Sequence, residues 1–293
     1  MIYYNIREKR MITGKTKLLG FFGDPAEHSK SPLMHNEAFG RLGLDYAYLS
    51  FRIKKGEIGP ALDAMKALDM RGVNISMPHK EDVLNYLDEV DDLAGLCGAV
   101  NTVINNDGLL TGYNTDVKGF LMALEDMTPI GGKKVTVLGM GGAAKAVLIG
   151  LALEKAEHIN VFLRSERDEG FIQKLREQHG TDILVFNLND EESLRSAIAH
   201  SEILINATPV GMGVLQGESL ISDGDFFHQD LYVMDLIYDP EETKLLSQAK
   251  EAGCRGYKNG LDMLLYQGGE AFRLFTGEEA PIDVMRDALI KKA

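Results

Sequence analysis

The stretch KVTVLGMGGAAKAVLIG, residues 134–150, joins a β-branched apolar run to a small-residue helical pattern through a cluster of glycines. This pattern predicts a strand, a tight turn and a helix. Gly139, Gly141 and Ala144 fill the small positions of G-x-G-x-x-G/A, which serve the turn, the close approach of a diphosphate and helix packing. Amides at the start of such a helix suit a diphosphate, because the helix dipole is positive there.

Strand-like runs follow the glycines at the spacing of helical crossovers. They are INVFL at 159–163, ILVF at 183–186, ILIN at 203–206 and YVMDLIY at 232–238. Glycines after a strand also occur in turns that bind no phosphate, so the motif alone is weak. The repeated alternation of strand and helix favours a Rossmann-like, dinucleotide-binding domain over a bare turn.

Length and composition limit the remaining possibilities. The chain has 293 residues and a formal net charge of -13, which favours two domains and argues against a nucleic-acid partner. No apolar run is long enough to span a bilayer, and the N-terminus has no signal-peptide core, so we expect a cytoplasmic protein with no membrane partner. Cys97 and Cys254 are too few for a disulfide framework or a Cys-rich metal site, and we expect buried thiols and no metal.

Short strands and helices also alternate before the glycines and predict a smaller α/β sheet. Strands are predicted at 17–23, 46–52 and 72–77, and a hairpin turns at Asp107-Gly108. Residues 1–16 are polar and unpatterned and are interpreted as a tail, while TPIGG at 128–132 is the natural linker into the second domain.

Several polar residues in this first region have a structural and a functional interpretation. Ser31 before Pro32 is a good N-cap and N1 pair, which leaves Ser29 unexplained; two hydroxyls in one loop could also hold a polyol or a carboxylate. Capping is favoured on residue type. Lys80 follows Pro78 at the start of a predicted helix, where the dipole disfavours a cation, so its placement hints at a use. An exposed surface lysine is the alternative.

A second set of polar residues lies where strands end. Asn101, Asn114 and Asp116, together with Lys80, fall at strand ends or strand-to-helix junctions, where α/β proteins place ligands. Asp116 precedes an apolar helical pattern and could be only an N-cap.

The chain resembles the shikimate dehydrogenase family in separated motifs over nearly all of the sequence after the tail. In family order they are HSKSPLMHN (28–36), NISMPHK (74–80), GAVNT (98–102), GYNTD (112–116), GMGGAA (139–144), NATPVGM (206–212), DLIYDPEET (235–243) and NGLDMLLYQGGEAF (259–272).

The resemblance implies a two-domain α/β fold, in which an N-terminal substrate domain with a mixed sheet precedes a Rossmann-like domain and C-terminal helices pack back on the first. The predicted parts are a tail (1–16), a shikimate-binding domain (17–128), an NAD(P)-binding domain (129–258) and returning helices (259–293). It implies a cytoplasmic oxidoreductase that reduces 3-dehydroshikimate to shikimate in aromatic amino acid biosynthesis, as a monomer or homodimer.

Family roles carry over position by position. Lys80 and Asp116 match the catalytic pair. The remaining positions that match substrate-binding residues are Ser29, Ser31, Ser76, Asn101, Tyr238 and Gln267; Ser76 keeps the hydroxyl of the threonine found in many members. The predicted cofactor-binding residues are Gly139, Gly141, Gly142, Ala143, Arg164, Ser165, Glu166, Thr208, Met212 and Gly260.

The chemistry requires a nicotinamide that accepts a hydride and a group that moves the hydroxyl proton. We expect Lys80 and Asp116 to orient the alcohol and shuttle its proton as a coupled pair. The sequence leaves open which of the two carries the proton, because burial and a neighbouring carboxylate shift the pKa of a lysine in opposite directions.

The choice between NAD and NADP depends on the end of the strand at 159–163. The family's NADP-binding members commonly show Asn-Arg-Thr there, whereas this chain has Leu163-Arg164-Ser165. Glu166 matches an acid of the quinate/shikimate dehydrogenase branch and would accept from a ribose 2′-OH; Arg164 and Arg167 would welcome a 2′-phosphate. Glu166, Arg167 and Asp168 could also be only a solvated helix start. We predict that NAD is usable and leave NADP open.

Two alternatives to a strict shikimate dehydrogenase remain. The branch resemblance admits quinate as a second substrate, because one added hydroxyl is hard for a pocket to exclude. A sensor that binds a dinucleotide and a small acid without turnover is the alternative of another class; the retention of both Lys80 and Asp116 argues against it.

Overall fold

The computed structural model describes residues 11–164 and 169–290. Contacts divide these residues into two compact units. The first unit contains the described residues up to Asp91, Val100–Tyr113 and those from Ala271 onwards; the second contains Asp92–Ala99 and Asn114–Glu270. The four-part division given above concerns ligand-binding domains and stays a prediction.

The described residues form twelve strands and ten α-helices. The strands are β1 (Lys17–Gly23), β2 (Tyr46–Arg52), β3 (Gly72–Ile75), β4 (Glu89–Val90), β5 (Thr102–Asn106), β6 (Leu109–Tyr113), β7 (Lys134–Leu138), β8 (His158–Leu163), β9 (Asp182–Asn187), β10 (Ile203–Asn206), β11 (Tyr232–Asp235) and β12 (Gly256–Lys258). The helices are α1 (Ser31–Leu42), α2 (Ile58–Ala67), α3 (Asp92–Cys97), α4 (Asp116–Glu125), α5 (Gly142–Leu153), α6 (Glu169–His179), α7 (Glu191–Ala199), α8 (Lys244–Glu251), α9 (Leu261–Thr276) and α10 (Ile282–Ile290). No helix of this part of the chain is long and apolar enough to cross a membrane.

The first unit is built on a mixed sheet in the order β2-β1-β3-β5-β6-β4. Strands β2 and β3 run parallel to β1, whereas β5 is antiparallel to β3 and β6 is antiparallel to β5. The β5–β6 hairpin turns at Asp107 (φ 52°) and Gly108 (φ 92°), which confirms the Asp-Gly turn. Helix α10 packs against α1, so the C-terminal helix returns to this unit.

The second unit is built on a parallel sheet in the order β12-β11-β10-β7-β8-β9. The chain proceeds outwards from β7 through β8 to β9 and then returns to β10 on the other side of β7. Such a reversal of strand order opens a crevice at the carboxyl ends of the strands, where doubly wound folds bind nucleotides. The Rossmann-like prediction is confirmed.

Alternation along the central strands explains why both faces of this sheet are covered. Val135 and Val137 of β7 join one apolar cluster with Ile203 and Ile205 of β10, whereas Leu204 of β10 belongs to a second cluster. Successive side chains point to opposite faces of a sheet, so runs of apolar residues indicate helices on both sides. Strand β7 is buried from Val135 to Leu138 and leads directly into the glycine loop at Gly139.

Candidate functional site

Ser29 and Ser31 lie in the loop between β1 and α1. Helix α1 begins at Ser31, its N-cap is Lys30, and no side chain caps it; the interpretation of Ser31 as the N-cap is wrong. The helix starts one residue early because the Ser29 hydroxyl accepts a hydrogen bond from the Ser31 amide at 3.3 Å. The Ser31 hydroxyl, which is buried, hydrogen-bonds instead with Tyr48 of β2.

A chain of buried hydrogen bonds extends from Tyr48 to Asn101. The Tyr48 hydroxyl donates to Asn74 Oδ1 at 2.7 Å, and Asn74 Nδ2 donates to Thr102 Oγ1 at 2.9 Å. Thr102 Oγ1 donates in turn to Asn101 Oδ1 at 3.1 Å. Burial raises the pKa of Tyr48 well above its usual value, so the phenol stays a donor. The network ties predicted substrate residues together within the first unit, Ser31 at the start of α1 and Asn101 just before β5.

Ser76 and Lys80 occupy the turn that follows β3. The Ser76 amide donates to the Phe22 carbonyl at 2.9 Å, and the Lys80 carbonyl accepts from the Val100 amide at 2.8 Å. The next helical element is a 3₁₀ helix of five residues, Asp82–Tyr86. The placement of Lys80 at a helix start, and the dipole argument built on it, is therefore wrong. The Lys80 backbone is nonetheless held by the Val100 amide, and the turn that carries it starts at Ser76, which is bonded to β1.

Asp116 is the first residue of α4, and Thr115 is the N-cap. The alternative that Asp116 is only an N-cap is wrong, because the Asn114 side chain serves its amide: Asp116 N–H donates to Asn114 Oδ1 at 3.0 Å. Asn114 Nδ2 also donates to the Ala99 carbonyl at 2.9 Å. The Asp116 side chain is buried, and an anion in the first helical turn is favoured by the dipole.

Gln267 lies on α9, against the helix that begins with Asp116. A Cβ added at Gly119 of α4 would lie 2.7 Å from the Gln267 amide nitrogen, so the two helices touch there through backbone. Thr115 Oγ1 lies 3.5 Å from Gln267 Oε1. The second unit thus brings Asp116 and Gln267 to neighbouring helices, while the serines, Lys80 and Asn101 belong to the first unit.

The glycine loop after β7 fits a diphosphate. Gly139 has φ 105°, and a Cβ there would lie 2.8 Å from the Thr208 methyl carbon. A Cβ at Gly141 or Gly142 would meet nothing within 4 Å, so the backbone beside the start of α5 is open to a ligand. No side chain caps α5, which is 12 residues long; its first amides, including that of Ala143, are suited to an anion.

Four further predicted residues follow the carboxyl ends of strands in the second unit: Thr208 and Met212 after β10, Tyr238 after β11 and Gly260 after β12. Thr208 Oγ1 donates to Asn206 Oδ1 at 2.7 Å, so its hydroxyl is used within the protein. The Met212 side chain is exposed. Burial raises the pKa of the Tyr238 phenol, and the neighbouring Asp239 adds to this. A Cβ at Gly260 would lie 2.0 Å from the Leu236 carbonyl oxygen, which leaves room for glycine alone.

Arg164 follows β8 and is exposed. Ser165 and Glu166, the other two residues predicted to distinguish NAD from NADP, lie outside the described residues, as does Arg167. Within the described part of the chain, no three His, Cys, Asp or Glu side chains converge on a position that could hold a metal ion.

Sequence reasoning missed four buried residues that hold the predicted site residues within each unit. Tyr48, Asn74, Asn206 and Asp235 are all buried and hydrogen-bonded. Three of them stand within the quoted motifs NISMPHK, NATPVGM and DLIYDPEET. Polar residues at the ends of apolar strands were the available signal, because a buried polar group needs a partner; Tyr48, inside a strand, gave none.

Known proteins resemble the chain over most of its length. Residues 21–103 match the shikimate dehydrogenase substrate binding domain, and residues 260–290 match the shikimate 5′-dehydrogenase C-terminal domain. A shikimate dehydrogenase (NADP⁺) of Streptococcus uberis is 44% identical over 287 residues, which are 95% of this chain and 97% of the relative.

Two solved structures share the fold over the same extent. Shikimate 5-dehydrogenase from Listeria monocytogenes, in complex with shikimate and NAD, has a TM-score of 0.90 at 41% identity and covers 96% of this chain and 99% of its own. Quinate dehydrogenase from Corynebacterium glutamicum, in complex with NAD, has a TM-score of 0.84 at 31% identity, with coverage of 94% and 99%.

Proposed function

The chain belongs to the shikimate dehydrogenase family, and from this premise we propose that it catalyses the reversible, NAD(P)-dependent reduction of 3-dehydroshikimate to shikimate. The observation that carries the proposal is the 44% identity to a shikimate dehydrogenase that extends over 95% of the chain. A match of that length includes the substrate-domain motifs, the glycine loop and the C-terminal helices together. The reaction belongs to aromatic amino acid biosynthesis.

Lys80 and Asp116 are proposed as the catalytic pair. The nicotinamide, when bound, supplies the hydride chemistry; the pair orients the substrate oxygen and moves its proton. Two features support the roles: the Lys80 carbonyl is held by the Val100 amide, and Asp116 is buried in the first turn of α4, where the helix dipole favours an anion.

The remaining polar residues are proposed to bind shikimate through its hydroxyls and carboxylate. They are Ser29, Ser31, Ser76, Asn101, Tyr238 and Gln267. Support comes from the buried network, which restricts the Ser31 and Asn101 side chains before any ligand arrives. Preorganised donors and acceptors lose less conformational entropy on binding.

The first experiment follows absorbance at 340 nm with shikimate and quinate, each with NAD and NADP. Turnover of shikimate supports the proposal; folded protein that binds a dinucleotide but turns over neither acid would support the sensor instead. We expect Lys80→Ala and Asp116→Asn each to lower kcat by about 10²–10⁴-fold.

Lys66→Ala is the matched control for the lysine substitution. Lys66 lies in the same unit and forms an exposed ion pair with Asp88 at 3.5 Å, so its loss removes a charge without touching the proposed pair. Near-wild-type turnover by folded Lys80→Ala enzyme would refute the catalytic role.

Use of both NAD and NADP is a finer part of the proposal. The Streptococcus relative is named for NADP⁺, while the Listeria structure contains NAD. Arg164 is exposed after β8 and would contact a 2′-phosphate, whereas Glu166 would repel it. We expect Glu166→Ala to raise, and Arg164→Ala to lower, the ratio of kcat/KM for NADP to that for NAD by about tenfold each. Unchanged ratios in both variants would assign these residues to the surface.

Quinate is proposed as a second, weaker substrate. The resemblance to a quinate dehydrogenase supports it, but that similarity is 31% identity against 41% for the shikimate 5-dehydrogenase structure. We therefore expect a higher kcat/KM for shikimate than for quinate in the same assay. A preference for quinate would reverse this assignment.

A further inference from the structure

Asp235 ends β11 with a carboxylate that is fully buried and accepts three hydrogen bonds. Asn206 Nδ2 donates to Oδ1 at 3.0 Å, the Ile237 amide donates to the same oxygen at 3.1 Å, and Thr243 Oγ1 donates to Oδ2 at 2.7 Å. Burial raises the pKa of this carboxyl, and the three donors oppose the rise. Burying a carboxylate costs free energy unless hydrogen bonds such as these offset it. Packing alone does not require a charged group, so the carboxylate points to a role beyond filling space.

One arm of this network reaches the glycine loop. Asn206, held by Asp235, accepts hydrogen bonds through Oδ1 from both the amide and the hydroxyl of Thr208, at 3.1 and 2.7 Å. The Thr208 methyl then fills the space that a Cβ at Gly139 would need. The carboxylate therefore fixes, through one intermediate residue, the turn that packs against the predicted diphosphate loop.

The other arm reaches Tyr238 and the start of α9. The Ile237 amide is bonded to Asp235, and the Ile237 carbonyl accepts from the Gly260 amide at 3.0 Å. Gly260 leads directly into α9, which carries Gln267, and Tyr238 is the next residue after Ile237. Two turns that carry predicted ligand-binding residues are thus tied to a single buried side chain.

We propose that Asp235 is a positioning residue, which fixes the Thr208 turn and the Tyr238 turn relative to each other and so sets the groups that face the bound dinucleotide. The proposal rests on the proposed function for the identity of the ligand. Asp235 acts through Asn206, Ile237 and Thr243 and does not itself contact substrate or cofactor.

The test compares Asp235→Ala with the conservative Asp235→Asn. Displacement of reacting groups by about 1 Å lowers rates by up to about 100-fold; we expect Asp235→Ala to lower kcat and to weaken NAD and NADP binding by about tenfold each. The asparagine variant should recover most of both. The KM for shikimate should rise by less than the dinucleotide Kd, since Tyr238 and Gln267 are disturbed while the proposed substrate residues of the first unit are untouched.

A second pair of variants keeps the test decisive if Asp235→Ala does not fold. Thr243→Val removes the donor to Oδ2, and Thr243→Ser keeps it. Thr243 is also the N-cap of α8, so Asp190→Ala, which removes the N-cap of α7, controls for the loss of a cap. We expect weaker dinucleotide binding and lower kcat in Thr243→Val alone.

Melting temperature separates positioning from simple stabilisation. A purely structural Asp235 would lower the melting temperature of the variants and leave kcat and the dinucleotide Kd of the folded enzyme unchanged; that result would overturn the proposal. Dinucleotide affinity, measured by quenching of tyrosine fluorescence, needs no turnover. If the wild-type enzyme does not oxidise shikimate, the proposed function fails, while this binding measurement still tests Asp235.

Discussion

The two units of the molecule hold their proposed ligand-binding groups in place by different means. In the first, side chains are restricted by one another: Ser31, Tyr48, Asn74, Thr102 and Asn101 form one continuous set of buried hydrogen bonds. In the second, the glycine loop presents backbone amides. The side-chain hydrogen bonds of Asp235 with Asn206 and Thr243 hold the turns that follow β10 and β11. A polyol requires donors and acceptors at fixed points, whereas a diphosphate requires close approach to amides. Each unit should therefore fail through a different kind of substitution.

The largest effect is expected where the second unit needs a residue without a side chain. Gly139→Ala would place a Cβ 2.8 Å from the Thr208 methyl carbon at a φ of 105°. Left-handed strain and overpacking together should lower the free energy of unfolding by about 3–4 kcal/mol. Urea denaturation measures the change.

Gly141→Ala distinguishes the contribution of a glycine to fold stability from its contribution to dinucleotide binding. A Cβ at Gly141 meets nothing within 4 Å, and its loss as an N-cap should change the free energy of unfolding by less than about 1 kcal/mol. Dinucleotide affinity should nonetheless fall, because the methyl group would occupy the open side of the loop. Equal stability losses in both variants would contradict the distinction.

A large, pH-dependent effect on stability is expected at His35 in the first unit, which packs against Tyr48. His35 is fully buried, its ring stacks on Tyr48 at 4.6 Å, and within the described residues neither ring nitrogen has a hydrogen-bond partner. Burial lowers the pKa of His35 to about 3, against about 6.5 in an unfolded chain. The unfolded state therefore binds the proton first as the pH falls.

Because the unfolded state takes up the proton first, the stability contributed by neutral His35 is complete above pH 6.5 and is lost progressively towards pH 3. Stability should fall by about 1.4 kcal/mol per pH unit in that window, or about 3 kcal/mol by pH 4. We expect His35→Phe to remove this component, seen as a smaller shift of the urea midpoint between pH 7 and pH 4. His200→Asn, at an exposed histidine, is the control; identical pH dependence in wild-type and His35→Phe protein would refute the prediction.

The side-chain network of the first unit should give a smaller change in stability than Gly139→Ala or the titration of His35. Tyr48→Phe removes the donor to Asn74 Oδ1 and leaves a buried acceptor unpaired, which costs about 1–2 kcal/mol. The KM for shikimate should rise more than the KM for the dinucleotide, because the network holds residues of the first unit. Tyr46→Phe on the same strand is the control, and a larger change in dinucleotide KM would erase the contrast between the units.

Strand bounds and turns that depend on neighbouring residues agree closely between the sequence prediction and the structure. Strands β1, β2 and β10 have the predicted bounds, and the Asp-Gly hairpin and the strand–glycine–helix unit formed as expected. These depend on residues near one another in the chain, where alternation, turn chemistry and backbone freedom act directly. The predicted helix starts differ by one residue. Ser31 and Asp116 are the first helical residues and not N-caps, and their amides donate to the side chains of Ser29 and Asn114.

The sequence by itself determined the fold class, the glycine loop and, through separated motifs, the family. Tertiary structure alone decided which polar residues became partners. Tyr48 and Asn74 are 26 residues apart and meet only because β2 and β3 both flank β1; Asp235 and Asn206 meet because β10 and β11 pair in register. Strand order is set by how apolar faces are covered, which is a property of the whole chain.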